Sequence, residues 1–279
     1  MKQTANNLAT ELNNNMGGLR GFNEYFDHND TTLLEAALRK PKPDGHNIRQ
    51  QVEEILRKKK PKDKKGLLIV FEGIDGAGKS TQVENLKSWL KDEESYDVVE
   101  TKWNSSKIMK ESIKDAKNKR ILSPILYSLM HAADMVIRYE NEVTPALMEN
   151  KIVIADRYIY TSMVRDKARG IDVQIMNEIY KDLREPDILF HCTLPIHLAF
   201  GRMIKDKGLT YYGTGMDLNL ADNKEENYLK YEDILDKYYK QILPMVSTYH
   251  KLNMGRDITT IAEEVKEIVA KETGIGKYR

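Results

Sequence analysis

Residues 67–81 read Leu67-Leu-Ile-Val-Phe-Glu-Gly-Ile-Asp-Gly-Ala-Gly-Lys-Ser-Thr81. The unbroken apolar run from Leu67 to Phe71 predicts a strand covered on both faces. Gly73 to Ser80 then fits the spacing G-x-x-x-x-G-K-S, and a helix is predicted from Thr81 to Leu90. Glycines let such a turn curl until successive main-chain N–H groups point at one centre, beside the positive end of the helix that follows. The cradle suits phosphate. Lys79 would reach the β- and γ-phosphates of a nucleotide, and the Ser80 hydroxyl would ligate magnesium. Gly73, Asp75, Gly76, Ala77, Gly78, Lys79, Ser80 and Thr81 are therefore the expected binding set for ATP, with Mg2+ at Ser80. A chance glycine-rich turn would lack the buried strand before it and the helix after it.

Outward from this stretch, further strands are predicted at Asp97 to Thr101, Lys151 to Ala155 and Asp187 to Thr193, with a weaker one near Leu252. Helical stretches separate them. The alternation predicts an α/β fold, a P-loop NTPase-type parallel β-sheet flanked by helices on both faces, over residues 66–279. Residues 1–65 read differently, as a partly helical extension. Leu33, Leu34, Ala37 and Leu38 suggest a short helix halted by Pro41 and Pro43, and Ile48, Val52, Ile55 and Leu56 recur at helical spacing between His46 and Lys59. The basic run Arg57 to Lys60 continues into Pro61 to Lys65 without interleaved aromatics, so it reads as a solvated linker rather than a nucleic-acid patch. Two roles stay open for these helices: homodimer formation and regulation.

Forty-four basic residues stand against 43 acidic ones, a net charge of +1, so nothing pulls the whole chain toward nucleic acid or an anionic membrane. Cys192 is the sole cysteine, which excludes an intramolecular disulfide and a cysteine-based zinc site. No apolar run approaches a membrane span, and the N-terminus has neither a secretion signal nor a usual transit peptide. A cytoplasmic enzyme with a small-molecule nucleotide as acceptor is expected.

A second stretch, Lys151-Ile-Val-Ile-Ala-Asp156-Arg157-Tyr158, is another buried strand ending in charged residues. Active residues gather at the carboxyl ends of strands in such sheets. Asp156 there can hold magnesium through water, and the planar fork of Arg157 can clamp a phosphate.

Together these residues resemble the thymidylate kinase family. Phe71 to Gln82 resembles its first motif; Asp156-Arg157-Tyr158 with Thr161-Ser162 looks like its second. Leu122-Ser-Pro124, opening a helix that carries His131-Ala-Ala-Asp134, resembles a third landmark. Arg169-Gly170-Ile-Asp172 and Pro186-Asp187 follow in family order, and the likeness covers about residues 66–272. It implies a nucleoside monophosphate kinase in which Lys79, Ser80 and Arg157 serve the transferred phosphoryl group and Asp75 meets the acceptor. The chemistry is mainly positioning and charge neutralisation.

The sequence also departs from the family. Where T-R-E-P-G-G-T is usual, Thr101-Lys102-Trp103-Asn104-Ser105-Ser106 stands. Lys102 could still meet the acceptor phosphate; Trp103 could stack on a base or simply pack. On the long helix, Ile125, Leu126, Leu129, Met130, Ala133, Val136 and Ile137 form one apolar stripe, and His131, Asp134 and Arg138 fall opposite, on what pattern alone reads as a solvated face. The resemblance instead makes this helix a wall of the base pocket, with His131 and Met135 where the family has an aromatic stacker and an arginine. Ser162 and Arg169 complete the expected substrate set. The candidate lid, Lys205 to Asn223, holds Lys205 and Lys207 but no arginine, so Arg202 just before it is the expected catalytic charge supplier.

Two other functions stay open. Asp156 to Ser162 also resembles the E/D-R-S-x-Y-S stretch of deoxynucleoside kinases, which need a carboxylate base after the second strand. Trp103 sits there, with Glu100 close by. A nucleotide-binding switch or sensor with weak ATPase activity is the third reading. Among the rest, His191 reads as an interior histidine, Cys192 as a small buried hydrophobe, and Tyr228, Tyr231, Leu235, Tyr238, Tyr239 and Ile242 as the face of a helix packed on the sheet.

Overall fold

The computed structural model describes residues 66–206 and 208–276. The predicted N-terminal helices, the basic linker and Lys207 lie outside the described residues.

Among the described residues there are five strands: β1 (Leu67–Glu72), β2 (Val98–Lys102), β3 (Ile152–Asp156), β4 (Ile188–Thr193) and β5 (Tyr249–Asn253). They form one all-parallel sheet in the order β2-β3-β1-β4-β5. Each lies within a residue or two of a stretch predicted from apolar runs. The reason is that the inner strands are covered on both faces: Leu68, Ile69, Val70, Phe71, Val153, Ile154, Leu189 and Phe190 are all 0% exposed. Each such side chain contributes about 1.5–3 kcal/mol on burial.

Nine α-helices cover the sheet among the described residues: α1 (Lys79–Ser88), α2 (Lys110–Lys119), α3 (Pro124–Arg138), α4 (Thr144–Met148), α5 (Ile159–Ala168), α6 (Val173–Tyr180), α7 (Ile196–Asp206), α8 (Lys224–Ile242) and α9 (Ile258–Thr273). Local chemistry sets their starts. Ser123 accepts the Leu126 N–H at 3.2 Å with Pro124 in the first turn of α3, and Asn223 accepts the Glu226 N–H at 2.8 Å to begin α8. From β1 the chain winds to β2 and β3 on one side, then to β4 and β5 on the other. The crevice outside the carboxyl end of β1 is thus the topological switch point, where open sheets bind ligands.

Register fixes who meets there. Phe71 pairs with Asp156 and with Phe190, and Lys102 pairs with Asp156, so β1, β2 and β3 end at one edge of the sheet. His191 is interior as expected: it is 1% exposed, and burial and nearby lysines press its pKa down to about 3. Cys192 is buried, and burial pushes its thiol up to about 12.

Candidate active site

The turn after β1 tolerates only glycine at two points. Gly73 has φ +137°, and a Cβ there would stand 2.3 Å from the Cys192 carbonyl oxygen; at Gly76, with φ +80°, it would meet the Ala199 carbonyl oxygen at 2.3 Å. Gly78 precedes α1 and no side chain caps that helix, so its first-turn N–H groups stay open to a ligand. Lys79 is buried and folds back, its Nζ donating to the carbonyls of Gly73 at 3.0 Å and Ile74 at 2.7 Å. Burial and the Arg157 guanidinium lower its pKa to about 8. The Ser80 hydroxyl donates to Asp156 Oδ2 at 2.6 Å, which brings the two expected magnesium residues into contact. Thr81 follows on the exposed first turn, and Ala77 is buried in the loop.

Arg157 carries a left-handed backbone, φ +77°, which costs a non-glycine residue about 1–3 kcal/mol. Its surroundings over-determine it. The Arg157 N–H donates to the Phe71 carbonyl at 3.0 Å, and Nη1 donates to Gly73 O at 2.8 Å, Thr161 Oγ1 at 3.1 Å and the Tyr239 hydroxyl at 3.2 Å. Nη2 forms an ion pair with Asp75, to which Arg165 Nη2 also donates at 2.9 Å. Burial opposes ionisation of Asp75, but Arg157, Arg165 and Lys79 outweigh it and hold the carboxyl well below the usual range.

Behind this pair lies Glu72, 0% exposed. It accepts the N–H groups of Tyr158 at 2.8 Å and Thr161 at 3.1 Å, and the Thr161 hydroxyl at 2.6 Å, and so caps α5. Burial raises its pKa, against the pull of Arg157 and these donors. The face of α8 supplies further supports. Tyr228 donates to the Asp75 carbonyl at 2.8 Å, Glu232 accepts the Asp75 N–H at 3.2 Å, and Tyr239 lies against Arg157 and Thr161. Burial and the neighbouring Asp75 raise Glu232 to about 8.

The wall formed by α3 reverses the pattern-based reading. His131, Asp134 and Arg138 are 2%, 1% and 1% exposed, whereas Ile125, Leu126, Leu129, Ala133, Val136 and Ile137 are only half-buried. Each polar group is satisfied internally. Asp134 accepts the N–H groups of Asn104 at 3.2 Å and Ser106 at 3.1 Å and pairs with Arg138 Nε at 2.8 Å; Arg138 Nη1 donates to Thr101 Oγ1 at 2.9 Å. These two residues fasten the loop after β2. His131 Nδ1 lies 2.7 Å from the Tyr127 carbonyl, which can only accept, so that nitrogen carries the proton. Burial and Lys117 hold its pKa well below the ordinary value.

His131 packs among planar groups. Trp103 stacks with it at 5.2 Å and Tyr127 at 4.0 Å, and the Arg169 guanidinium lies 3.8 Å from the centre of the Tyr127 ring. Arg169 in turn donates to Asp217 of the candidate lid from Nε at 2.8 Å and Nη2 at 3.1 Å. The same segment is also held where the Leu122 N–H donates to the Tyr212 hydroxyl at 3.0 Å.

These elements enclose a cleft of about 1020 Å³, at the top of the range for small-molecule sites. Of the expected residues, Asp75, Gly76, Gly78, Lys79, Ser80, Thr81, Lys102, Trp103, Asp156, Arg157 and Arg202 line it. His131, Asp134, Arg138, Ser162 and Arg169 stand behind that lining, Ser162 beside Tyr180. Arg202 is exposed and donates from Nη2 to the Met254 carbonyl at 3.2 Å. Lys117 and Arg165 line the cleft without having been singled out in the sequence. Arg165 could have been found from the four-residue spacing of Thr161, Arg165 and Arg169; Lys117 sits in a lysine-rich helix and carries no such signal.

The sequence model of the thymidylate kinase family matches residues 71–247. The probable thymidylate kinase 2 of Saccharolobus solfataricus is 35% identical over 208 residues, 74% of this chain and 97% of that protein. The probable thymidylate kinase of Thermococcus kodakarensis is 31% identical over 220 residues, 76% of this chain and all of that protein. The thymidylate kinase of Caldicellulosiruptor saccharolyticus is 34% identical over 149 residues, 50% of this chain and 70% of that protein.

Proposed function

The chain belongs to the thymidylate kinase family, and from that premise we propose that it passes the γ-phosphoryl group of ATP to the phosphate of dTMP, giving dTDP and ADP. The observation that carries the reading is the juxtaposition of two anion-binding groups. An open main-chain cradle with Lys79 and Ser80 stands beside Asp75, Arg157 and Arg165 in one cleft. The chemistry needs no base, because the attacking oxygen already belongs to a phosphate.

In this reading Lys79 exchanges its two loop carbonyls for the β- and γ-phosphates. Arg157 faces the transferred group, and Arg202, beside Gly78, adds positive charge from the lid side. A hydroxyl and a carboxylate in contact fit a small, hard cation that keeps water and phosphate oxygens as its other ligands. Ser80, and Asp156 through water, would hold Mg2+, which neutralises charge on the phosphates when bound. Asp134, Arg138, His131, Ser162 and Arg169 support the acceptor wall from behind, and Trp103 faces the acceptor, while Lys102 at the rim of the cleft is paired with Glu100.

A nucleoside acceptor is disfavoured on a specific observation. The carboxylate nearest the end of β2, Glu100, is held by Lys102 at 2.7 Å and Lys87 at 3.0 Å and does not line the cleft. No described helix is long and apolar enough to cross a membrane; work on free nucleotides in the cytoplasm accords with this reading. Dimerisation through residues 1–65 is a proposal on sequence pattern alone.

The test is transfer from ATP with magnesium to a panel of dTMP, dUMP, dCMP and thymidine. Label in dTDP is expected. Label only in thymidine's product would make the protein a nucleoside kinase, and slow ATP hydrolysis without transfer would make it a switch.

A further inference from the structure

Two cations on the cleft wall lack adequate counterions. Lys117 of α2 is half-buried, with Nζ 5.8 Å from the centroid of the Tyr127 ring. Its neighbours on α2 are neutralised, Lys114 by Glu111 at 3.9 Å and Lys119 by Asp115 at 2.8 Å. Lys117 has no carboxylate partner among the described residues. With the Asn104 amide turned oxygen-inward, it donates only to that oxygen, at 3.0 Å, which also accepts Trp103 Nε1 at 3.2 Å. Arg165 is 6% exposed. It reaches from Asp75 to the Tyr127 hydroxyl, 3.3 Å from Nη1, and its Nε–H is buried without a partner. The nearby carboxylate, Asp75, is already divided between Arg157 and Arg165.

A desolvated cation without a counterion is unfavourable until an anion arrives. The lowered pKa of Lys117, from burial and from Arg165 and Arg169 against the pull of Tyr127 and Asp75, agrees with that shortfall. Lys102, the lysine that sequence alone points to, is in the opposite state. Its side chain is 55% exposed and tied to Glu100 at 2.7 Å.

We propose that Lys117 and the unpaired Nε edge of Arg165 bind the phosphate of the acceptor nucleotide, in the role the sequence suggests for Lys102. The ligand class is a phosphate monoester dianion, whose oxygens accept from an ammonium and a guanidinium at once. The proposal rests on the monophosphate-kinase reading above.

The test compares Lys117→Gln, Lys117→Arg, Lys102→Gln and Arg165→Lys in the full-length protein. Lys117→Gln is expected to raise the KM for dTMP about 10- to 100-fold, the loss that follows removal of a charge-assisted hydrogen bond, with kcat and the KM for ATP little changed. Lys117→Arg restores most of the affinity, and Arg165→Lys, which keeps a charge for Asp75 but has no Nε, raises the dTMP KM in the same way. Lys102→Gln changes it less than about 3-fold. Thymidine, which has no phosphate, binds Lys117→Gln as it binds wild type in a titration followed by tryptophan fluorescence. The proposal is overturned if Lys117→Gln leaves the dTMP KM unchanged, if Lys102→Gln has the larger effect, or if thymidine weakens in parallel, which would make Lys117 a reader of base or sugar. If wild type transfers nothing to dTMP, the functional reading fails. The subsite is then decided by titrating AMP, GMP and dCMP into wild type and Lys117→Gln: phosphate-dependent affinity lost in the variant supports it, and equal binding refutes it.

Discussion

Glu72→Ala isolates the buried carboxylate that joins the phosphate loop to α5. The side chain is fully buried and accepts four hydrogen bonds: from the N–H groups of Tyr158 and Thr161, the Thr161 hydroxyl at 2.6 Å and the Tyr239 hydroxyl at 3.4 Å. The two hydroxyls can turn to other partners, because Thr161 and Tyr239 already lie 2.8 Å apart. The two main-chain donors cannot. Leaving each dry costs about 1–3 kcal/mol, so the variant should lose about 4 kcal/mol. For a domain of this size that is about 8–16 °C in Tm. Glu72→Gln keeps one acceptor oxygen for the N–H groups and should lose about 1–2 kcal/mol. Thermal and urea unfolding of the three proteins measure both values. The activity of Glu72→Ala, assayed well below its Tm, should also fall, because the Tyr158 N–H lies next to the strained Arg157 backbone. A Glu72→Ala protein that melts within about 3 °C of wild type would falsify the account of this carboxylate as the cap of α5.

Three other outcomes follow from the same geometry. With the Lys79 pKa lowered to about 8 by burial and Arg157, the ammonium form that binds phosphate predominates below that value, so kcat/KM for ATP should be flat at lower pH and decline as pH rises through 8; a profile flat to high pH refutes the assignment. Gly73→Ala puts a Cβ 2.3 Å from a main-chain carbonyl at φ +137° and should lose at least about 2 kcal/mol together with ATP affinity, whereas Gly274→Ala, at φ +83° with nothing within 4 Å, should lose only about 1 kcal/mol and no activity; equal losses in a melting experiment would contradict this. Asp217→Asn leaves the buried Arg169 guanidinium without its carboxylate and should cost about 3 kcal/mol in urea unfolding while raising the KM for the acceptor; unchanged stability would show that Tyr231 and Tyr127 suffice to hold Arg169.

The sheet, and the glycine-rich turn after its first strand, can be read from local sequence. Strands buried on both faces must be apolar along their whole length, so β1, β3 and β4 are visible as runs, and the proposed phosphate loop is contiguous, so its glycines, lysine and serine stand out by spacing alone. Asp156-Arg157 was legible because it ends such a run. Tertiary structure decided the acceptor side. A polar stripe on a helix looks the same whether water or other side chains satisfy it, and only the folded chain shows Asp134 and Arg138 of α3 spent on the loop after β2. The partners of Asp75 come from positions 157, 165 and 232, and those of Glu72 from 158, 161 and 239. Separations of that size carry no periodic signal. Which lysine has a carboxylate beside it is likewise a property of the fold: among the described residues Lys102 pairs with Glu100 and Lys117 with no carboxylate, because side chains distant in sequence decide which charges meet.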